Sequence, residues 1–307
     1  MLAQLPARPR GAFVSDTGAC ARYPRRMDVS SLALRTDLAV AALDGTVVDR
    51  GDHVAVATPD QPDFYWGNYL VIAPPTTPST ATAWLTRAAA ARCAGAAHVA
   101  VAIDAPDGAL APAVTAALLA AGATVETMIA MTCDQPLAAP VPAGVELRRF
   151  DRPADWEALL ALSIAIDPDT PAMRRFLTRR IAARARAAAR GEVRWWGAFV
   201  DGALVASAGV VPVADGARYQ DVQTHAAWRR RGVASAVLAA IAQEARPAGD
   251  GDERLGGGTA KIQNSLAGAR LVLVVGEDNA AARAAYQRLG FVERDRAVLA
   301  LVAPPQT

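Results

Sequence analysis

The sequence has 307 residues, of which 52% are hydrophobic and 20% charged, a composition typical of a well-cored globular protein with about two domains. The formal net charge of +2 excludes a general electrostatic attraction to nucleic acid or acidic membranes, and no apolar run reaches the roughly 18 residues that a membrane-spanning helix needs. Three widely spaced cysteines, Cys20, Cys93 and Cys133, indicate neither a disulfide framework nor a zinc site, so we expect a cytoplasmic protein without a metal.

Residues 1–26 contain five arginines and a single acidic residue, Asp16, and they lack the hydrophobic segment of a secretion signal. An arginine-rich segment poor in acids is also typical of an organelle transit peptide. We favour a simpler interpretation, in which residues 1–27 are a disordered tail or translation begins at Met27.

Residues 28–140 read as a smaller α/β unit, because short β-branched runs alternate with alanine-rich segments that favour helix. The predicted strands and helices are His53–Ala57, Tyr69–Ile72, Ala81–Ala94, His98–Ile103, Leu110–Ala120 and Thr124–Thr132.

Three consecutive aromatic residues, Phe64, Tyr65 and Trp66, precede the second of these strands. They either line a substrate pocket or fill the core at the start of the strand, and we favour the core. His53 and His98 lie in apolar strands, so we expect core histidines rather than catalytic ones.

A proline-rich connector, Leu137–Gly144, marks a predicted domain boundary at residue 140. A strand is predicted at Val145–Phe150 and a helix at Asp155–Ile166, where an acidic residue near the start suits the helix dipole. The next helix, Met173–Arg190, carries seven arginines. They form either a nucleic-acid-binding stripe or a solvated face, and we favour the solvated face because the whole chain is nearly neutral.

Strands at Arg194–Val200 and Ala203–Val213 are joined by Asp201–Gly202, a dipeptide typical of a hairpin turn. A further strand, Arg218–Thr224, leads through a basic turn into a helix at Val233–Ala245. The free N–H groups and the dipole of a helix N-terminus attract anions, phosphate above all. The turn therefore predicts a diphosphate site.

A second informative stretch begins with the buried strand Leu271–Val275. Asn279 is a suitable N-cap for the helix that follows, and Gly290 stands where a left-handed residue ends a helix. Asn279 and Tyr286 are seven residues apart, so they fall on nearly the same helix face.

The sequence Arg229-x-x-Gly232-x-Ala234 resembles the Q/R-x-x-G-x-G/A signature of the GNAT superfamily of N-acetyltransferases. The stretch from Asn279 to Phe291 resembles that family's closing N-x-x-A-x-x-x-Y-x-x-x-G-F segment. The resemblance implies an α/β (α+β) GNAT fold, with a mixed and mostly antiparallel sheet flanked by helices, over residues 141–307. Residues Pro59–Tyr69 resemble the N-terminal half of two-domain members, which implies a smaller, degenerate GNAT-like domain over residues 28–140.

The resemblance also implies the site. Tyr286 would be the general acid for the leaving sulfur, although a tyrosine packed in the core is the alternative. Asp221 would be the base, with His225 as a weaker candidate. The residues that would bind acetyl-CoA are Val222, Gln223, Thr224, Arg229, Arg230, Arg231, Gly232, Val233, Ala234, Ser235, Asn279, Arg283 and Tyr286.

We therefore expect acetyl-CoA-dependent transfer of an acetyl group to a primary amine of a small molecule or peptide N-terminus, directly within a ternary complex. The alternatives are a non-catalytic acyl-CoA sensor and, more weakly, a nucleic-acid binder. The protein would act as a monomer or homodimer without nucleic-acid or membrane partners. Residues 246–269 depart from the family pattern, and we interpret them as a flexible surface insertion rather than a lid.

Overall fold

A computed structural model describes residues 27–134, 138–244 and 269–304. The predicted tail and nearly all of the predicted insertion lie outside the described residues. The helices are α1 Leu32–Ala41, α2 Pro78–Ala90, α3 Pro112–Ala120, α4 Pro153–Ile166, α5 Pro171–Ala189, α6 Val233–Glu244 and α7 Ala280–Arg288. The strands are β1 Thr46–Asp49, β2 His53–Ala57, β3 Tyr69–Ile72, β4 Val99–Ile103, β5 Thr124–Cys133, β6 Glu146–Arg149, β7 Arg194–Val200, β8 Ala203–Val213, β9 Gly216–Thr224, β10 Leu271–Gly276 and β11 Val292–Val302.

The strands form one continuous sheet in the order β1-β2-β3-β4-β11-β5-β10-β9-β8-β7-β6. Within the described residues, two of the ten strand pairings are parallel, β3 with β4 and β9 with β10, and the others are antiparallel. This confirms the predicted fold class, a mixed and mostly antiparallel sheet flanked by helices.

The two halves of the chain exchange strands in the middle of the sheet. The last strand, β11, lies between β4 and β5, and β5 in turn lies between β11 and β10. The sheet therefore has no break between the halves, although the boundary at residue 140 stays a prediction about domains.

Each face of the sheet is covered by helices from both halves. On one face, α2 and α3 pack on β3, β4 and β11, while α6 packs on β8, β9 and β10. On the other face, α1 packs on the central strands, while α4 and α5 pack on β7 and β8. No described helix has the length and apolar composition required to cross a bilayer.

Local signals account for where the helices begin. Proline occupies the first turn of α2, α3, α4 and α5, where its missing N–H costs no hydrogen bond. At the start of α4, the buried Asp155 accepts hydrogen bonds from the backbone N–H groups of Asp151 and Arg152, both at 3.1 Å. Its other oxygen pairs with Arg148 at 2.7 Å. The predicted acidic start of this helix is thus confirmed.

Most predicted elements agree with the structure to within a few residues, and β2, β3, β7 and β8 agree at both ends. The sequence reasoning missed α1, β1 and β11. Apolar residues occur nearly all round α1, so it lacks the one-sided pattern of an amphipathic helix. The first half of β11 reads Glu293-Arg294-Asp295-Arg296, which in sequence resembles an exposed loop rather than a strand.

One prediction about α5 is wrong. Its arginines do not form a solvated face throughout, because only 3% of the Arg184 side chain and 14% of the Arg180 side chain are exposed. Of the seven arginines on and next to this helix, five lie within 4 Å of a carboxylate. The other two, Arg175 and Arg186, are exposed and take part in none of the described ion pairs.

Candidate active site

Strands β9 and β10 separate after a short stretch of pairing. Their parallel pairing covers two residue pairs, Leu271 with Ala217 and Val272 with Arg218. Beyond these pairs, residues 219–224 of β9 and 273–276 of β10 have no ladder between them, so a wedge-shaped gap opens in the sheet. Backbone donors and acceptors along such a gap are available to an extended ligand.

A β-bulge shapes the β9 side of this gap. The register with β8 shifts between Ser207 and Gly209, so that two residues of β9, Asp221 and Val222, face the single residue between them. Asp221 has a φ of 46°, in the left-handed region that residues other than glycine rarely adopt. Backbone strain of this kind concentrates at functional sites.

The end of β9 aims a backbone donor into the gap. The His225 N–H donates to the Val205 carbonyl of β8 at 2.8 Å. Because donors alternate between the two sides of an antiparallel strand, the Thr224 N–H points away from β8, toward the gap.

The predicted anion-binding turn follows directly. A short 3-10 turn, Ala226–Trp228, leads into Arg230 at φ 61° and Gly232 at φ 79°, and α6 begins at Val233. The first intrahelical hydrogen bond runs from the Ala236 N–H to the Gly232 carbonyl, so the N–H groups before Ala236 lack helical acceptors. A Cβ placed on Gly232 would meet nothing within 4 Å, so the space above the turn is open.

Two arginines of the turn are held in position. Arg229 donates from Nε to the Thr224 carbonyl at 3.1 Å, and the Arg231 guanidinium lies 4.8 Å from the centre of the Trp228 ring. Both arginines are otherwise exposed, so they place positive charge on the surface of the turn that leads into α6.

Helix α7 approaches from the far side of the gap. Asn279 caps it by accepting the Ala282 N–H at 3.1 Å, and Gly290 ends it at φ 89°, as the sequence predicts. The Tyr286 ring packs edge-on against Phe291, with ring centres 6.2 Å apart. Its hydroxyl has no hydrogen-bond partner among the described residues. Burial raises the pKa of Tyr286, partly offset by the charge of Arg218.

The gap opens into a cavity of about 720 Å³ whose walls come from both halves of the chain. Five of the predicted site residues line it: Asp221, Val222, Gln223, Asn279 and Tyr286. Thr224 and the turn at 229–235 are not among the residues that line it, and they connect β9 to α6. Arg283 instead pairs with Glu293 at 2.6 Å and donates to the Glu277 carbonyl, so its guanidinium is already engaged.

An ion-pair network forms one wall. Arg184 lies 2.9 Å from Asp44 and 3.7 Å from Asp221, and Arg180 lies 3.4 Å from Asp221. Desolvation disfavours the ionised form of Asp221, yet the charges of Arg180 and Arg184 more than offset it, so the pKa of Asp221 lies below its usual range. The side chain keeps 36% of its surface exposed, and it lines the cavity.

Helix α1 supplies the facing wall. Arg218 of β9, which is buried, donates to Asp37 at 2.7 Å and to the Thr36 hydroxyl at 3.2 Å. The backbone N–H groups at the start of α1 donate to the carboxylate of Asp295 in β11. The missed helix and the missed strand thus fix each other beside the site.

The aromatic segment agrees with both interpretations in part. Phe64 and Trp66 are half-buried and line the cavity, and Trp66 also packs against the core beside α1. The Phe64 ring lies 5.7 Å from the Phe176 ring of α5. The expectation for the histidines is confirmed, because His53 and His98 are both buried.

Several cavity residues escaped the sequence reasoning: Asp37, Asp44, Ser163, Asp167, Arg180 and Arg184. They come from α1, the α1–β1 connection, α4 and α5, and no linear motif relates them to β9. Among the described residues, no group of three or more histidine, cysteine and acidic side chains is arranged to hold a metal ion.

Comparisons with known proteins find a matching family model and similar folds. Residues 191–293 match the family model of the acetyltransferase (GNAT) domain. The fold is similar to that of a GCN5-related N-acetyltransferase from Kribbella flavida, with a TM-score of 0.55 and 18% identity over 91% of this chain and 97% of that one. A conserved protein of unknown function from Staphylococcus epidermidis gives a TM-score of 0.59 and 11% identity over 84% of this chain and 94% of that one. No curated protein matches the sequence.

Proposed function

We propose that this chain moves the acetyl group of acetyl-CoA to a primary amine. Residues 191–293 match the GNAT acetyltransferase domain, whose general chemistry is acyl-CoA-dependent acetyl transfer. The acceptor would be a small molecule or a peptide N-terminus, and transfer would be direct within a ternary complex. The observation that carries the proposal is the parting of β9 and β10, with an open helix N-terminus at one end of the gap and Tyr286 on the other side.

The coenzyme's diphosphate would bind at the start of α6. The N–H groups of Val233, Ala234 and Ser235 supply donors, and the helix dipole adds partial positive charge. Gly232 leaves open space above the turn, which fits the close approach of a phosphate to the backbone. The pantetheine arm would then extend along Val222, Gln223 and Thr224.

Acetyl-CoA supplies a thioester whose carbonyl carbon the amine attacks. The Thr224 N–H faces the gap and would donate to the oxyanion that forms there, which is usually a large contribution in acyl transfer. The new C–N bond forms as the C–S bond breaks. The Tyr286 hydroxyl would donate its proton to the departing thiolate, and its raised pKa keeps the hydroxyl protonated at neutral pH.

The amine must also lose a proton. Asp221 was the predicted base, but two guanidinium partners lower its pKa, so its carboxylate binds a proton weakly. We infer that water in the cavity takes the proton and that ionised Asp221 orients this water. His225 is a weaker candidate because its ring already accepts the Ala227 N–H.

The N-terminal half would be a degenerate GNAT-like domain that closes the acceptor side of the cavity. A cytoplasmic location stays a prediction, as does the choice between monomer and homodimer. Arg283 would act on cofactor binding indirectly, because its ion pair with Glu293 joins α7 to β11.

The rival proposal is a sensor that binds acyl-CoA without turnover, and Tyr286→Phe distinguishes the two, as argued in the Discussion. The nucleic-acid alternative has little support because five of the seven arginines near α5 pair with carboxylates. It predicts steep salt dependence of polyanion binding, so a flat response would remove it.

Calorimetric titration with acetyl-CoA tests the cofactor site. We expect the double variant Arg229→Glu/Arg231→Glu to weaken binding at least about tenfold, since reversing each charge near a phosphate exchanges attraction for repulsion of about 1 kcal/mol in water. The matched control is Arg175→Glu/Arg186→Glu, which changes the net charge equally at exposed positions of α5. If the protein takes up no CoA species, or both double variants bind equally well, the proposal is wrong.

A further inference from the structure

The acceptor side of the cavity has an aromatic and aliphatic wall built from both halves. Phe64 and Phe176 face each other with ring centres 5.7 Å apart, and Leu177 and Ile181 of α5 continue the surface. The Arg180 guanidinium lies over the Phe64 ring, with its central carbon 4.2 Å from the ring centre, so it forms part of this wall. A wall of this kind suits a hydrophobic body on the acceptor.

The positive charges that line the cavity are already neutralised. Among the described residues, the guanidinium groups that line it belong to Arg180, Arg184 and Arg218. Each lies within 4 Å of a carboxylate, which is supplied by Asp221, Asp44 or Asp37. No described cation of the cavity is therefore free to bind an acidic group on the acceptor.

Two carboxylates of the cavity are left over. Asp167 and Glu126 both line it, and neither has a basic partner within 4 Å among the described residues. The described residues that line the cavity thus carry an excess of two negative charges, which attracts an ammonium and repels a carboxylate.

Asp167 is the better placed of the two. Its N–H donates to the Ser163 carbonyl at 3.0 Å, so the two residues lie one helical turn apart at the end of α4. The Ser163 hydroxyl in turn contacts the Gln223 side chain of β9. An ammonium held by Asp167 would therefore sit about one helical turn from the strand that lines the gap.

The position of Asp167 has no evident structural benefit. It is the C-terminal cap residue of α4, where the helix dipole disfavours negative charge, and its carboxylate receives no compensating bond within the described chain. Burial raises its pKa, which is the mark of an ionisable group that lacks a partner. A bound ammonium would supply that partner.

We propose that the acceptor is a hydrophobic primary amine without an acidic group, bound through its ammonium by Asp167 and through its apolar body by Phe64 and Phe176. This inference rests on the proposed function and names its substrate class. It excludes free amino acids as good acceptors, because their carboxylate would enter a cavity whose described guanidinium groups are all paired.

Matched acceptor pairs test the inference: 2-phenylethylamine against L-phenylalanine, and 3-methylbutylamine against L-leucine. Thiol release from acetyl-CoA gives the rates. We expect kcat/KM for each amine to exceed that of its amino acid at least 100-fold. Asp167→Asn should raise KM for 2-phenylethylamine at least tenfold while the Kd of acetyl-CoA changes less than twofold, and Asp167→Glu should restore part of the loss. Glu157→Gln, at an exposed position of the same helix, is the control and should match the parent protein.

Binding without turnover gives a second readout. Calorimetry with 2-phenylethylamine on the CoA-bound protein should detect binding that Asp167→Asn weakens at least tenfold. Equal use of amine and amino acid, or no amine binding to a protein that binds acetyl-CoA, overturns this inference and leaves the cofactor proposal standing. Failure to bind any CoA species would instead remove the proposed function itself.

Discussion

Replacing Tyr286 with phenylalanine removes one oxygen atom from the cavity and little else. The ring keeps its edge-on contact with Phe291, and the hydroxyl makes no hydrogen bond to any described residue. The change therefore leaves no buried donor or acceptor without its partner. We expect the free energy of unfolding to change by less than about 0.5 kcal/mol.

Turnover should respond quite differently. If the hydroxyl protonates the departing thiolate, its loss should lower kcat about 10²- to 10⁴-fold, as is usual for a general acid. At 1.36 kcal/mol per tenfold, this is about 2.7–5.4 kcal/mol of transition-state stabilisation. Thiol release under saturating acetyl-CoA and amine measures kcat, and calorimetry measures the Kd of acetyl-CoA, which should change less than threefold.

Tyr219→Phe is the matched control. Its buried hydroxyl donates to the Leu238 carbonyl at 2.8 Å, and that carbonyl keeps its bond within helix α6 after the substitution, so the lost hydrogen bond should cost about 0.5–1.5 kcal/mol of stability. Its turnover per folded molecule should stay within threefold of the parent protein. A Tyr286→Phe protein that turns over as fast as the parent would refute the general-acid argument. A parent protein that binds acetyl-CoA but acetylates no amine would favour the sensor instead.

Three further predictions test the surroundings of the site. Arg184→Met, which strips a buried cation from between two carboxylates, should cost about 3–5 kcal/mol in urea unfolding, whereas Arg186→Met at an exposed position of the same helix should cost less than about 0.5 kcal/mol. Gly232→Ala and Gly122→Ala should each lower the free energy of unfolding by about 1–2 kcal/mol, because both glycines have positive φ with open space around them. Only the change at Gly232 should weaken acetyl-CoA binding. Equal affinities of the two variants would contradict the turn as a phosphate site. Burial disfavours ionised Asp155, yet its bonds to Arg148 and two N–H groups lower its pKa below the unfolded value of about 3.9. The stabilisation of the fold by ionised Asp155 is therefore present above that pH and is lost as the pH falls through the folded pKa. The melting temperature of Asp155→Asn should therefore lie below that of the parent at pH 7 and converge with it in acid, and a constant difference would contradict this.

The sequence predicted those parts of the site that short-range chemistry determines. A helix N-terminus after a basic turn, an asparagine N-cap and a glycine C′ residue each act within a few residues, so their roles at Gly232, Asn279 and Gly290 could be read from the sequence. The hairpin at Asp201–Gly202 is of the same kind, since both residues have positive φ.

What escaped prediction depends on partners far along the chain. In sequence, Asp295 looks like one of several alternating charges on a loop, yet its carboxylate holds the first N–H groups of α1, more than 260 residues away. The sequence alone suggests that Arg184 is solvated, but in the folded protein it pairs with Asp44 and Asp221 from other elements. A left-handed aspartate at Asp221 contradicts local preference, so only the bulge in the paired strands reveals it.

The exchange of β5 and β11 explains how such remote residues form one cavity. Because β5 lies between β10 and β11, neither half completes its sheet without a strand of the other. The helix and aromatic segment of the N-terminal half are thereby fixed relative to β9, as the ion pair of Asp37 with Arg218 illustrates. Acyl transfer depends on holding two reactants within a fraction of an ångström of reacting geometry. A shared sheet supplies that rigidity where a flexible interface between two separate domains would allow the acceptor wall to move away from the gap.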